Sequence, residues 1–94
     1  MKHSEKMLLE KVYTKIFEED HLTALKILRE MLGRKDLSSE LKEIIQFKIA
    51  DILFQDKKYK KASKEFENFL SSYPKSQLCR IASERIDFIR QHIQ

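Results

Sequence analysis

The side chains able to do chemistry are few and scattered. His3, His21 and His92 are the only imidazoles. None has a second ligand at the i+4 spacing that would bring two side chains onto one metal ion, so the pattern argues against a zinc site. Cys79 is the single cysteine and excludes an intramolecular disulfide. Arg80 is its basic neighbour, but without a histidine beside it the thiol reads as buried or inert rather than nucleophilic. Glu40 and Glu43 would share a helix face, a spacing that a chain with 36% charged residues produces without any acid/base role. One glycine leaves no phosphate loop or dinucleotide fingerprint, since both need several residues without side chains for backbone N–H groups to approach phosphate. These residues predict no enzyme, no metal and no cofactor.

The densest functional signal is a run of cations. Lys57, Lys58, Lys60, Lys61 and Lys64 crowd one turn and the helix after it. Lys57/Lys61 and Lys60/Lys64 are i,i+4 like-charge pairs, each costing about 0.2–0.5 kcal/mol, which a basic patch for an acidic partner or nucleic acid would justify. Asp56, Glu65 and Glu67 interleave, so a solvated helix face accounts for the same residues. The overall balance, net charge +4 and pI about 9.2, is mild.

The elements that must position these groups are helices. Eleven Leu and ten Ile stand against one Val, with one Gly and one Pro in 94 residues, a composition that excludes collagen, flexible linkers and turn-dense β-sandwiches. Hydrophobic residues at 41% suffice for a core. Leu8, Leu9, Val12, Tyr13, Ile16 and Phe17 recur at three-to-four-residue spacing and predict a first helix over 5–17, capped by Ser4. Asp20 is the expected N-cap of a second helix carrying Leu22, Ala24, Leu25, Ile27, Leu28, Met31 and Leu32. Gly33 should end it in a left-handed C-cap. Ser38 or Ser39 starts a third helix running to about Gln55, apolar over more than one face. The Asp56-Lys57-Lys58 turn leads into a fourth, with Tyr59, Ala62, Phe66, Phe69, Leu70 and Tyr73 inward. Pro74 stops that helix. Ser76 should cap a last helix with Leu78, Ile81, Ala82, Ile86, Ile89 and Ile93 inside. The fold class is all-α, five antiparallel helices with short connections.

Helix, tight turn, helix and loop occur twice before the final helix, and small and aromatic residues repeat with them. Over Gln46 to Pro74, the residues Ala50, Tyr59, Ala62, Phe66, Phe69 and Pro74 sit at offsets that resemble the tetratricopeptide repeat, including the Tyr-x-x-Ala-x-x-x-Phe core from Tyr59 to Phe66. The first unit is a weaker copy, with Ala24 and Leu28 at the Ala62 and Phe66 positions and Val12 where a small residue is expected. Ala24 and Ala62 lie 38 residues apart instead of the ~34 of the standard repeat, so the loop around 34–39 is expanded. Tyr73-Pro74-Lys75-Ser76 before a helix looks like the longer-loop variant of bacterial envelope-assembly members of this family. The resemblance implies a single domain: one repeat over about 5–37, a second over about 38–75, and a capping helix over about 76–93, stacked as a short α-solenoid.

It also implies a groove. Carried over position by position, the family's concave surface selects Leu9, Glu10, Tyr13, Ile16 and Phe17 in the first unit, and Ile44, Phe47, Lys48, Asp51, Phe54 and Gln55 in the second. The expected function is a non-enzymatic protein-interaction module, an adaptor, scaffold or small chaperone, holding a peptide or helix against these residues. Two alternatives stand beside it: a structural homodimer through the same face, and binding of nucleic acid or an acidic partner at the lysines, with nucleic acid the less expected. If the last helix closes over the groove, Ile81, Phe88 or Ile89 should meet Phe47 and Phe54. No uncharged stretch, Ile44 to Phe47 of the third helix among them, approaches the ~20 residues that span a bilayer, and no uninterrupted apolar leader opens the chain. No membrane insertion and a cytoplasmic location are expected.

Overall fold

Leucine, isoleucine, lysine and glutamate at helical spacing, interrupted only by short polar turns, fold into five α-helices in a computed structural model that describes residues 2–93. They are α1 (His3–Phe17), α2 (His21–Leu32), α3 (Ser39–Gln55), α4 (Tyr59–Ser72) and α5 (Cys79–His92), with no strand among the described residues. The chain forms two compact units, divided between Ile45 and Gln46 within α3. In the first unit α1 packs against α2. In the second, α4 packs against α5 and receives the Phe47 and Phe54 rings of α3.

The two tight turns are built alike. In the first, Glu19 takes a left-handed φ of 61° and donates its N–H to Ile16 O at 3.0 Å, while Asp20 donates to Lys15 O at 2.8 Å. Thirty-eight residues further along, Lys57 also has φ 61° and donates to Phe54 O at 3.0 Å, and Lys58 donates to Leu53 O at 3.0 Å. Each is the hydrogen-bond pattern that satisfies the last carbonyls of a helix through a left-handed residue, here without glycine. The same offset carries the core: Val12 and Ala50, Ala24 and Ala62, Leu28 and Phe66, and Met31 and Phe69 are all buried. The 38-residue spacing thus recurs in the geometry of the two turns and in these four buried pairs.

Helix ends show what the local rules decide and where they fail. Asp20 caps α2, its Oδ1 accepting the Thr23 N–H at 3.2 Å, and Ser38 caps α3, its Oγ accepting the Leu41 N–H at 3.4 Å. Before Pro74, Tyr73 leaves the helical region at φ −131° and α4 ends. Three expectations need correction. Ser4 lies inside α1, and the group at that end is Glu5, whose Oε1 accepts the Lys2 N–H at 3.3 Å. Gly33 is right-handed, φ −75°, and a Cβ there would meet Glu30 O at an ordinary 3.4 Å, so the position does not require glycine. Ser76 organises a turn before α5, its Oγ accepting the Leu78 N–H at 3.1 Å, and the helix begins only at Cys79.

Asp20 gives a pH prediction. Hydrogen bonds from Thr23 hold its carboxyl below the ordinary 3.8, with smaller help from the charges of Lys15 and His21. The unfolded chain then binds more protons than the folded one in acid, so the cap's contribution is present above the ordinary value and is lost as pH falls through the folded one. Asp20→Ala should lower Tm at neutral pH, and the difference from wild type should close in acid. A difference unchanged down to the acid transition would mean that the carboxylate is not the stabilising species.

Candidate interaction surface

In the first unit the expected groove residues separate by depth. Leu9 is buried with Val12, whereas Ile16 and Ile44 are half-buried. Glu10 is exposed, its carbonyl accepting the Thr14 hydroxyl at 3.0 Å. Tyr13 is 49% exposed and Phe17 is 89% exposed. Leu22, read from sequence as part of the second helix's apolar set, is 79% exposed and is corrected to the surface. Phe17 is the last residue of α1 and Leu22 the second of α2, so both flank the Glu18-Glu19-Asp20 turn, rotated off the stripes that run through Leu9–Val12 and Ala24–Leu25–Leu28. Among the described residues no other large apolar side chain is as open as these two.

In the second unit α5 covers much of the expected groove. Phe47 stands edge-on to Phe66 at 5.7 Å and to Phe69 at 5.6 Å, which places it between α3 and α4. Phe54 meets Tyr59 at 5.6 Å, Phe66 at 6.4 Å and Phe88 at 5.3 Å. The Arg85 guanidinium lies over the Phe54 ring at 4.9 Å, a cation–π contact. Arg85 Nε also faces Asp51 Oδ1 at 3.7 Å, close enough to attract and too long for a hydrogen bond. Asp51 uses its other oxygen, Oδ2, to accept the Gln55 amide at 3.1 Å. Lys48 is half-buried on α3. Phe47 and Phe54 are half-buried and pack against neighbouring rings: Phe88 meets Phe54 as closure by the last helix requires, while Phe47 is engaged by α4.

Phe88 is itself 39% exposed and stacks on His92 at 3.9 Å, whose Nδ1 lies 2.7 Å from Phe88 O. Ile81, expected inside, is 37% exposed, because the buried stripe of α5 runs through Ala82, Ile86 and Ile89. Arg85 carried no sequence signal, since nothing in its spacing pairs it with a carboxylate on a different helix.

Lys57, Lys58, Lys60, Lys61 and Lys64 are all exposed around the start of α4. Their helix has no side-chain cap and no acidic residue in its first turn. Beside them, Lys60, Ser63, Ile89, Arg90 and Ile93 line an open cavity of about 300 Å³ between α4 and α5. Cys79 Sγ donates to Tyr73 O at 2.9 Å, tying the start of α5 to the end of α4. Among the described residues no three His, Cys, Asp or Glu side chains converge on a point where a metal could sit, and no helix is long and apolar enough to cross a membrane.

Set against known proteins, the chain matches no family model, no curated protein and no solved structure. What the surface offers is apolar area next to a charged turn in the first unit, and a cationic rim over an apolar floor in the second.

Proposed function

We propose that this chain is a non-enzymatic protein-interaction module of tetratricopeptide-like hairpins, an adaptor or small scaffold acting in the cytoplasm, that holds an amphipathic helix or peptide on the apolar surface of its first unit. The observation that carries the reading is the exposure of Phe17, 89%, with Tyr13 four residues earlier on the same helix at 49%. A fully exposed phenylalanine forgoes about 1.5–3 kcal/mol of burial, which a partner's apolar face would recover. The repeated turn and the small residues at matching offsets support the repeat assignment. Tyr13, Ile16 and Phe17 supply the apolar anchors, and Phe47 and Phe54 shape the second unit from within.

The test is titration of the protein into a panel of fluorescein-labelled amphipathic helical peptides, read by anisotropy. Phe17→Ser should leave far-UV helicity intact and weaken the best peptide at least about tenfold, as expected for an anchor residue. Equal binding by the variant, or no binding across the panel, would overturn the assignment.

A further inference from the structure

The two tight turns share a backbone and carry opposite surfaces. Phe17 and Leu22, both open to solvent, bracket Glu18, Glu19 and Asp20 in the first. Thirty-eight residues later the same positions hold Gln55 and Lys60, bracketing Asp56, Lys57 and Lys58. Asp20 caps its helix, whereas Lys58 at the equivalent place gives no side-chain cap, and no acid follows in the first turn of α4. The unbonded N–H groups there and the surrounding ammonium groups add their positive fields at one helix end. Lys57, Lys58, Lys60, Lys61 and Lys64 outnumber the nearby Asp56 and Glu65, so carboxylates from outside the chain would relieve the remaining repulsion. Next to it lies the cavity, with Ile89 and Ile93 in its lining and Lys60 and Arg90 around them. The Arg90 guanidinium lies 3.9 Å from Asp87 Oδ1 with both side chains exposed, a pair too weak to hold it.

The first turn matches this groove in both respects, offering apolar side chains and acids in one short segment. We propose that the Phe17–Leu22 turn of one copy docks in the Lys60–Arg90 groove of a second copy. Phe17 or Leu22 fills the apolar part of the cavity, and Glu19 meets Lys60, Arg90 and the start of α4, while Glu18, which accepts from Lys15 Nζ at 3.2 Å in an exposed and therefore weak pair, adds its charge nearby. The two contacting surfaces differ, so the interface is heterologous, unlike pairing of one apolar face with itself. A nucleic acid fits less well, because the cavity has apolar lining and Tyr59, the aromatic among the lysines, packs against Phe54 at 5.6 Å and Phe88 at 6.1 Å instead of being offered to bases. The inference goes beyond peptide capture by the first unit and shares only Phe17 with it; the experiment uses no foreign peptide, so the two readings fail separately.

Light scattering after size exclusion, across a concentration series, reads the association directly. Wild type should rise above the protomer's 11.3 kDa at low salt and fall back toward it in about 1 M salt, where the screening length is about 3 Å. Glu19→Lys and Lys60→Glu should each weaken association at least about tenfold by setting like charges against each other. Glu19→Lys is compatible with the fold, since Lys57 already occupies the equivalent left-handed position. Leu22→Ser, at a surface position, serves as a second probe of the same contact. An equimolar mixture of the two charge variants should regain the wild-type mass, because the reversed turn of one meets the reversed groove of the other. A protomer mass at every concentration overturns the proposal, as do variants that associate like wild type or a mixture that fails to recover. Binding of a labelled single-stranded oligonucleotide, lost in Lys60→Glu, would assign the groove to nucleic acid and overturn it as well.

Discussion

Phe66→Ala is expected to remove about 3–5 kcal/mol of stability, the usual cost of deleting a buried aromatic ring. Phe66 is fully buried, with the Phe47 ring at 5.7 Å and the Phe54 ring at 6.4 Å. Truncation therefore loses the transfer free energy of the ring and leaves a void bordered by two further rings that cannot both collapse into it. Typical domains hold only about 5–15 kcal/mol in total, so the variant should show a urea midpoint shifted far toward zero or a melted baseline at room temperature. Phe54 reaches Phe88 of α5 as well as Phe66, so loosening should spread to α5 and raise hydrogen exchange there. A cost under about 1 kcal/mol would mean that the second unit is not organised around this ring.

Glu5→Ala should cost about 1–3 kcal/mol although it removes a charge and adds helix propensity. Glu5 is the one buried charged residue among those described, 2% exposed. Its two oxygens accept the Lys2 N–H and the Ser38 N–H, each at 3.3 Å, so one carboxylate serves the first turn of α1 and the residue that caps α3. Nearby, Lys2 Nζ donates to Asp36 O at 2.6 Å and to Asp36 Oδ2 at 3.1 Å, and this bond is the main reason the Asp36 carboxyl sits below its ordinary value. Removing the Glu5 side chain leaves the Ser38 N–H without its acceptor at a part-buried site. Glu5→Gln, which keeps one acceptor oxygen, should recover part of the loss in urea unfolding. Equal stability of Glu5→Ala and wild type would show that water replaces the carboxylate at no cost.

Much of the fold was legible in the residues. The four connections, the caps by Asp20 and Ser38, the stop before Pro74 and the 38-residue spacing of the repeat all follow from rules that act within a few residues. The candidate surface was less legible. Leu9, Tyr13 and Phe17 carry the same spacing signal, yet one is buried, one is half open and one is almost wholly exposed. Periodicity places a residue on a helix face to within a side chain's width and says nothing of where the neighbouring helix ends.

By itself the sequence determined five helices, their turns and the two small-residue positions at Ala24 and Ala62, because capping, proline geometry and helical period are local and act alike in any chain. Only tertiary structure decided that Glu5 is buried as a shared acceptor, that Arg85 lies over Phe54 beside Asp51, and that Phe47 packs inward while Phe17 and Leu22 stay out. Each of those outcomes depends on which groups other helices bring within about 4–6 Å, the range over which packing, hydrogen bonds and charge pairs act.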